Sequence, residues 1–304
     1  MEKLNSKEKH VEIGWLEEFK SLILNCLSAM RDSFKYTHKP YLAAKIFNYN
    51  FQGFILKYLL NIDMHERVNK LKKWIIFDTP FGKYFCTTVS ECKMIRDNYE
   101  QDIYEVIKRI NSNELDTWEK YCIDVWANIW RWAIDLAKNL WYKVIAFEPA
   151  PWTYTHLVKN IELSEMWDNI ESYNIWLWKG KGELPFLIWD IWDTTAHIDD
   201  KDFDHWCRRP LPMKRISVHV DRFDDIWIDS QKIKNTKLIL IDVEWFELNV
   251  LKWMSESIKS MWDVKLIVEI WHDQKKKEEI LNFMQKLWFR AKQINRDNRL
   301  FSRE

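Results

Sequence analysis

The chain has 304 residues, with 46 basic and 46 acidic side chains, a formal net charge of zero and a 47% hydrophobic composition. Such a balance describes a globular chain able to bury a full core, and it excludes a protein drawn onto nucleic acid or an anionic membrane by overall charge. Five scattered cysteines without a C-x-x-C pair point to reduced thiols; a polar opening stretch and no run of about eighteen apolar residues argue against a signal peptide or membrane span, so a cytoplasmic protein is expected.

In chain order, residues 1–73 read as a helical region. Trp15, Phe19, Leu22, Ile23 and Leu27 recur at helical spacing, and Phe54 to Leu60 with Val68 and Leu71 repeats the pattern. Residues 74–113 read as a lead-in: two short strands, WIIFDTP and FGKYFCTT, meet at a turn over Pro80 to Gly82, and a helix follows from Asp102 to Ile110. Residues 114–304 form the main domain, where strand-like and helix-like segments alternate. The strands are expected at 121–125, 144–147, 170–177, 184–191, 216–220, 238–243 and 266–270. Helices are expected at 129–140, 153–163, 246–254 and 275–287, with a final antiparallel pair over 290–301. Such alternation predicts an α/β fold with a doubly wound, Rossmann-like parallel sheet. Residues 190–210, acidic and flanked by proline, read as a surface excursion.

The centre of this pattern is YCIDVWANIWRWAIDLAKNLWYKVIAFEP, residues 121–149. It reads as strand, tight turn, helix and second strand ending on an acid. That arrangement sets a turn at a helix N-terminus, where backbone N–H groups and the helix dipole hold ligands, and Glu148 where a ribose would lie. A turn that lets a ligand touch backbone wants glycine, yet Trp126 and Trp130 occupy it. The whole chain has 5 glycines and 20 tryptophans, against about twenty-one glycines at ordinary usage of roughly 7%. Trp141, Trp178, Trp253 and Trp288 likewise stand at helix ends and turns where positive φ is expected. The pattern is that of a gene whose UGA codons specify glycine, read with UGA as tryptophan.

With glycine restored at those places, IDVGANIGR, VIAFEP, VDRFDDI, LILIDVEGFELNVLKGM and LIVEI follow one another as they do in the FkbM-like family of S-adenosylmethionine-dependent, class I methyltransferases, which this chain resembles from about residue 74 to 301. The resemblance implies S-adenosyl-L-methionine as cofactor. Asp124, Ala127 and Asn128 would line its methionine end, the backbone at Trp126 and Trp130 would approach it, and Glu148 followed by Pro149 would take the ribose hydroxyls. Asp242 and Glu244, in the second signature, would serve the reaction: Asp242 as base or electrostatic orienter toward the acceptor hydroxyl, Glu244 by holding the acceptor. Glu247 reads equally as a first-turn acid of the following helix. A hydroxyl of a sugar, glycan or small metabolite is the implied acceptor, with no metal required and no nucleic acid as partner.

Two other readings stay open at this stage. A nicotinamide-dependent oxidoreductase would share the first turn and Glu148, although the spacing differs from G-x-G-x-x-G. A non-catalytic Rossmann-like module would follow if two indoles truly fill the turn. His197, His205 and Cys207 match no standard zinc spacing. His272 and Asp273 read as a helix start or a substrate contact, Lys275 to Lys277 as a charged helix face, and Arg208 and Arg209 as a possible greeting for an acidic ligand.

Overall fold

A computed structural model describes residues 70–88, 91, 95, 100–113, 119–129, 131–188, 197–198, 214–243, 246–270 and 274–303, together with helical Leu24, Leu27 and Arg31. Of the expected helical region 1–73, residues 70–73 instead open a strand, and the rest, those three helical residues apart, lies outside the described residues. So do Trp130, His205, Cys207, Arg208, Arg209, Glu244, Trp245, His272 and Asp273. The chain divides into two compact units, residues 1–99 and 100–304.

In the first unit, β1 (Lys70–Thr79) and β2 (Gly82–Thr88) form the expected antiparallel hairpin, pairing Phe77 with Tyr84 and Ile76 with Phe85. Thr79 makes the turn: its hydroxyl accepts the N–H groups of Phe81 and Gly82 at 3.1 and 3.2 Å. Phe77, Tyr84 and Cys86 are buried while Ile76 is exposed, the period-two alternation of a strand with one covered face.

The second unit opens with α1 (Gln101–Asn113) and is built on a seven-stranded sheet. Its strands are β3 (Tyr121–Val125), β4 (Lys143–Phe147), β5 (Ile170–Tyr173), β10 (Thr236–Ile241), β11 (Lys265–Glu269), β12 (Arg290–Gln293) and β13 (Asn298–Ser302). In space they run β12-β13-β11-β10-β3-β4-β5. The pairs from β11 through β10, β3 and β4 to β5 are parallel, and β13 is antiparallel to both its neighbours. All five residues of β3 are buried. So are Leu238 to Ile241 in β10, as expected of central parallel strands with both faces covered. One face carries Ile123, Val125, Ile145, Phe147, Ile239, Ile241, Leu266 and Val268 into the main core. The other is covered by α2 (Arg131–Asn139), which packs on β3 and β4 with Ala133, Ile134, Leu136 and Ala137 buried, and by α3 (Pro151–Leu163) over β5.

The segment 170–177, expected as one strand, is two. Asn174 and Ile175 break it, β5 stays in the main sheet, and β6 (Trp176–Leu177) joins a second sheet of order β6-β9-β7-β8. The partners there are β7 (Gly182–Ile188), β8 (His197–Ile198) and β9 (Lys214–Asp221). This sheet is mostly antiparallel and was not legible as a separate layer, because a two-residue strand carries no periodicity. After a short α4 (Ser230–Lys234) and β10 come α5 (Glu247–Trp253), α6 (Ser255–Ser260) and α7 (Gln274–Lys286), with α5 packing on α6 and α7.

Asp224 caps α6 from a distance, since Met254 at its N-cap has no side chain to do so. Its carboxylate accepts the N–H of Ser257 at 2.9 Å, the N–H of Glu256 at 3.2 Å and the Ser257 hydroxyl at 2.6 Å, and pairs with Arg222. Asp224→Ala is expected to cost about 1–2 kcal/mol of stability, read as a Tm lowered by about 2–8 °C in thermal unfolding; an unchanged Tm would show the cap to be dispensable.

The left-handed backbone positions match part of the sequence pattern. Trp126, Trp141 and Trp288 have φ of 73°, 61° and 66°. Trp178 and Trp253 do not: neither has positive φ, and they pack against each other with ring centroids 4.9 Å apart, Trp253 being the last residue of α5.

Candidate functional site

The carboxyl ends of β3 and β10 lie side by side, and the chain leaves them in opposite directions across the sheet: β3 leads to β4 on one side, β10 to β11 on the other. Open α/β sheets bind ligands above such a switch point. Asp124 at the end of β3, Glu148 just past β4, Asp242 just past β10 and Glu269 at the end of β11 all converge there because each strand is an apolar run closing on an acid.

The turn after β3 is laced onto the end of β4. Trp126 and Ala127 both donate their N–H groups to the Phe147 carbonyl, at 2.9 and 2.8 Å. Asn128, at φ 55°, donates its N–H to Glu148 Oε2 at 2.9 Å, and the Ala150 N–H reaches Oε1 at 2.9 Å. The Asn128 side-chain oxygen in turn accepts the Ile129 N–H at 2.8 Å. Asn174 closes the other side, its amide donating to the carbonyls of Glu148 and Pro149 at 2.8 and 3.0 Å. The expected cofactor residues Ala127, Asn128, Glu148 and Pro149 are thus brought together and buried. Glu148 has no exposed surface, and both of its oxygens already accept backbone N–H groups, so each offers one remaining lone-pair direction.

Asp124 is also buried, and its Oδ2 has no hydrogen-bond partner among the described residues. Burial, with the negative charges of Asp242 and Glu100 nearby, pushes its carboxyl up to about 7. Burial likewise pushes Glu148 up to about 8, opposed by the N–H groups of Ala150 and Asn128 and reinforced by Asp124. Asp242 hydrogen-bonds Glu269; burial raises its carboxyl and the Glu269 contact lowers it. The Asp242 side chain also reaches solvent, so water screens part of that push. Carboxyls raised in this way cluster where a site is built to receive positive charge or move protons.

A narrow crevice beside the turn is lined by Val125, Trp126, Phe147, Pro149, Ile175, Trp176 and Val243, so the Trp126 side chain forms part of its wall. That indole stands T-shaped against Trp176 with ring centroids 4.8 Å apart, and 6.3 Å from Phe186. The remaining space is about what one water needs. Trp176 itself keeps a buried Nε1 without a hydrogen-bond partner among the described residues.

Several contributors were not singled out by sequence. Glu269 was findable by the rule that located Asp242, an acid closing an apolar strand. Glu100, which accepts the Trp132 indole N–H at 2.9 Å, and Asn174 carry no such signal: Glu100 is a lone polar residue outside any patterned segment, and Asn174 lies within a stretch that reads as one strand. Glu247 is buried in the first turn of α5 rather than presented at a surface. His197 lies in β8, and Lys275 is exposed on α7.

A sequence model described as the methyltransferase FkbM domain matches residues 120–291, more than half of the chain. No curated protein sequence matches. Among solved structures, TYW2 of M. jannaschii in complex with AdoMet is 12% identical with a TM-score of 0.41, covering 78% of this chain and 90% of that one. The N-terminal domain of human METTL16 in complex with SAH is 11% identical with a TM-score of 0.39, covering 83% and 80%. The fold assignment rests on the strand order described above.

Proposed function

This chain belongs to the methyltransferase FkbM domain family, and we propose that it transfers a methyl group from S-adenosyl-L-methionine to a hydroxyl of a sugar, glycan or small metabolite. The observation that carries the cofactor reading is the orphaned, buried Asp124 Oδ2 among raised carboxyls at the sheet's switch point. S-adenosyl-L-methionine supplies an activated methyl on a sulfonium and carries an ammonium group; a ligand of that charge would supply these raised carboxyls with a positive partner. The residues fit such a group at Asp124 and along the Asn128 to Pro149 turn. The side chain at 126 does not fit, because its indole forms a wall of the crevice beside that turn, packed edge-on against Trp176, and the crevice holds little more than one water.

The chain's own residues divide the remaining work. Glu148 pins the turn after β3 to the end of β4, and its remaining lone pairs would take the ribose hydroxyls once the turn opens. Asp242, reaching solvent at the mouth and bonded to Glu269, is the proton acceptor for the incoming hydroxyl, and a raised carboxyl is a stronger base than an ordinary one. Glu244, next along the same signature, holds the acceptor.

Titration calorimetry with S-adenosyl-L-methionine tests this reading. A Trp126→Gly protein is expected to bind it, and adding Asp124→Asn is expected to weaken binding about 10- to 100-fold, the loss of a charge-assisted hydrogen bond. Equal affinity of the two variants would remove Asp124 from the site.

A further inference from the structure

Trp141, Trp288 and Trp126 hold backbone conformations that crowd a Cβ against the neighbouring carbonyl and that glycine adopts freely. Trp288 closes α7 in a Schellman arrangement: Phe289 N–H donates to Met284 O, and Trp288 N–H to Gln285 O, both at 3.0 Å. Glycine is the usual residue at that position. Trp141 follows α2 in a wider turn, in which Tyr142 N–H and Leu140 N–H both donate to Leu136 O, at 3.1 and 3.2 Å.

Packing does not explain either indole, since Trp141 is 79% and Trp288 84% exposed. Trp126 does pack, edge-on against Trp176 at the wall of the crevice, where the Trp176 Nε1 is buried without a hydrogen-bond partner among the described residues. The other non-glycine residues with positive φ are Glu100, Asn128 and Glu165, so three of the six among the described residues are tryptophan. A bulky aromatic is among the least suited side chains for that region.

We infer that the native polypeptide carries glycine at 126, 141 and 288, and that the side chain written at 126 is what closes the crevice at the switch point. The shortage of glycine beside an excess of tryptophan, 5 against 20, has the same origin: UGA codons meaning glycine, read as tryptophan. The inference rests on the methyltransferase reading only for what enters the opened crevice.

Thermal unfolding of the full chain separates the two. Trp141→Gly and Trp288→Gly lie away from the crevice, and each is expected to raise Tm by about 2–4 °C as left-handed strain is relieved. Trp227→Gly, at a 90% exposed position of ordinary φ, is expected to leave Tm unchanged or slightly lower it. Peptide mass spectrometry on protein from the source cells is expected to show glycine at all three positions. Tryptophan in those peptides, or no gain in Tm at 141 and 288, overturns the inference. Trp126→Gly is then titrated with S-adenosylhomocysteine, and binding absent from the unsubstituted chain supports the closed crevice. Glycine in the native peptides with gains at 141 and 288, but no binding at 126, upholds the glycine assignment and sinks the methyltransferase reading instead.

Discussion

The unfolding free energy is expected to fall as pH rises from about 4.5 to about 8, and Glu148→Gln is expected to remove most of that slope. Burial outweighs the two N–H groups that Glu148 accepts and pushes its carboxyl up to about 8, against an ordinary value of 4.5. Between those values the folded chain binds more protons than the unfolded one, so stability declines with rising pH. Below about 4.5 both states are protonated and the effect vanishes; above about 8 its full cost is present. The difference amounts to roughly 3–6 kcal/mol, and Asp124, raised to about 7, acts in the same direction. Glutamine resembles the protonated acid, so the variant should track the parent at low pH and fall behind it less, or overtake it, near pH 8. Urea unfolding of both proteins at a series of pH values measures this. Parallel curves would mean that Glu148 does not titrate within the folded state.

Asp242→Asn, in a protein with glycine at 126, is expected to lower methyl transfer about 10²- to 10⁴-fold, the usual contribution of a positioned proton acceptor. Its carboxylate stands at the mouth of the site beside Glu269 and Asp124, and burial raises it. A base must be ionised to act, so if Asp242 fills that role the parent's rate is expected to rise with pH through the Asp242 titration and level above it. Asparagine loses that limb, since an amide does not titrate. Transfer of labelled methyl from S-adenosyl-L-methionine to a panel of free sugars, oligosaccharides and hydroxylated metabolites provides the readout. A variant that keeps both the rate and the pH limb would leave Asp242 with an orienting role only.

Much of the fold was legible because its strands are apolar runs of the length a buried parallel strand needs. LILIDV and LIVEI announced β10 and β11, and the closing acids Asp124, Glu148 and Asp242 could be placed at the ligand-facing end before any coordinates. The break at Asn174 and Ile175 was hidden, because a strand that changes sheets keeps its composition while changing its partners. Asn174 as the clamp on Glu148 and Pro149, and Glu100 as a charge near Asp124, depend on contacts across 26 and 24 positions of chain, which no local pattern records.

The sequence by itself determined the alternation of strand and helix, the acids at the strand ends and the suspicion attached to tryptophan, since periodicity, polarity and residue size are local properties. Only the tertiary structure decided which tryptophans occupy left-handed backbone. It selected 126, 141 and 288 and released 178 and 253, because φ at a helix end depends on how the next segment turns back onto the sheet. It also decided the state of Glu148: a residue expected to face a ligand is sealed beneath the turn, its oxygens held by Asn128 and Ala150. Burial and hydrogen bonding are properties of a packed neighbourhood, and that neighbourhood exists only once strands 20 and more residues apart have been brought side by side.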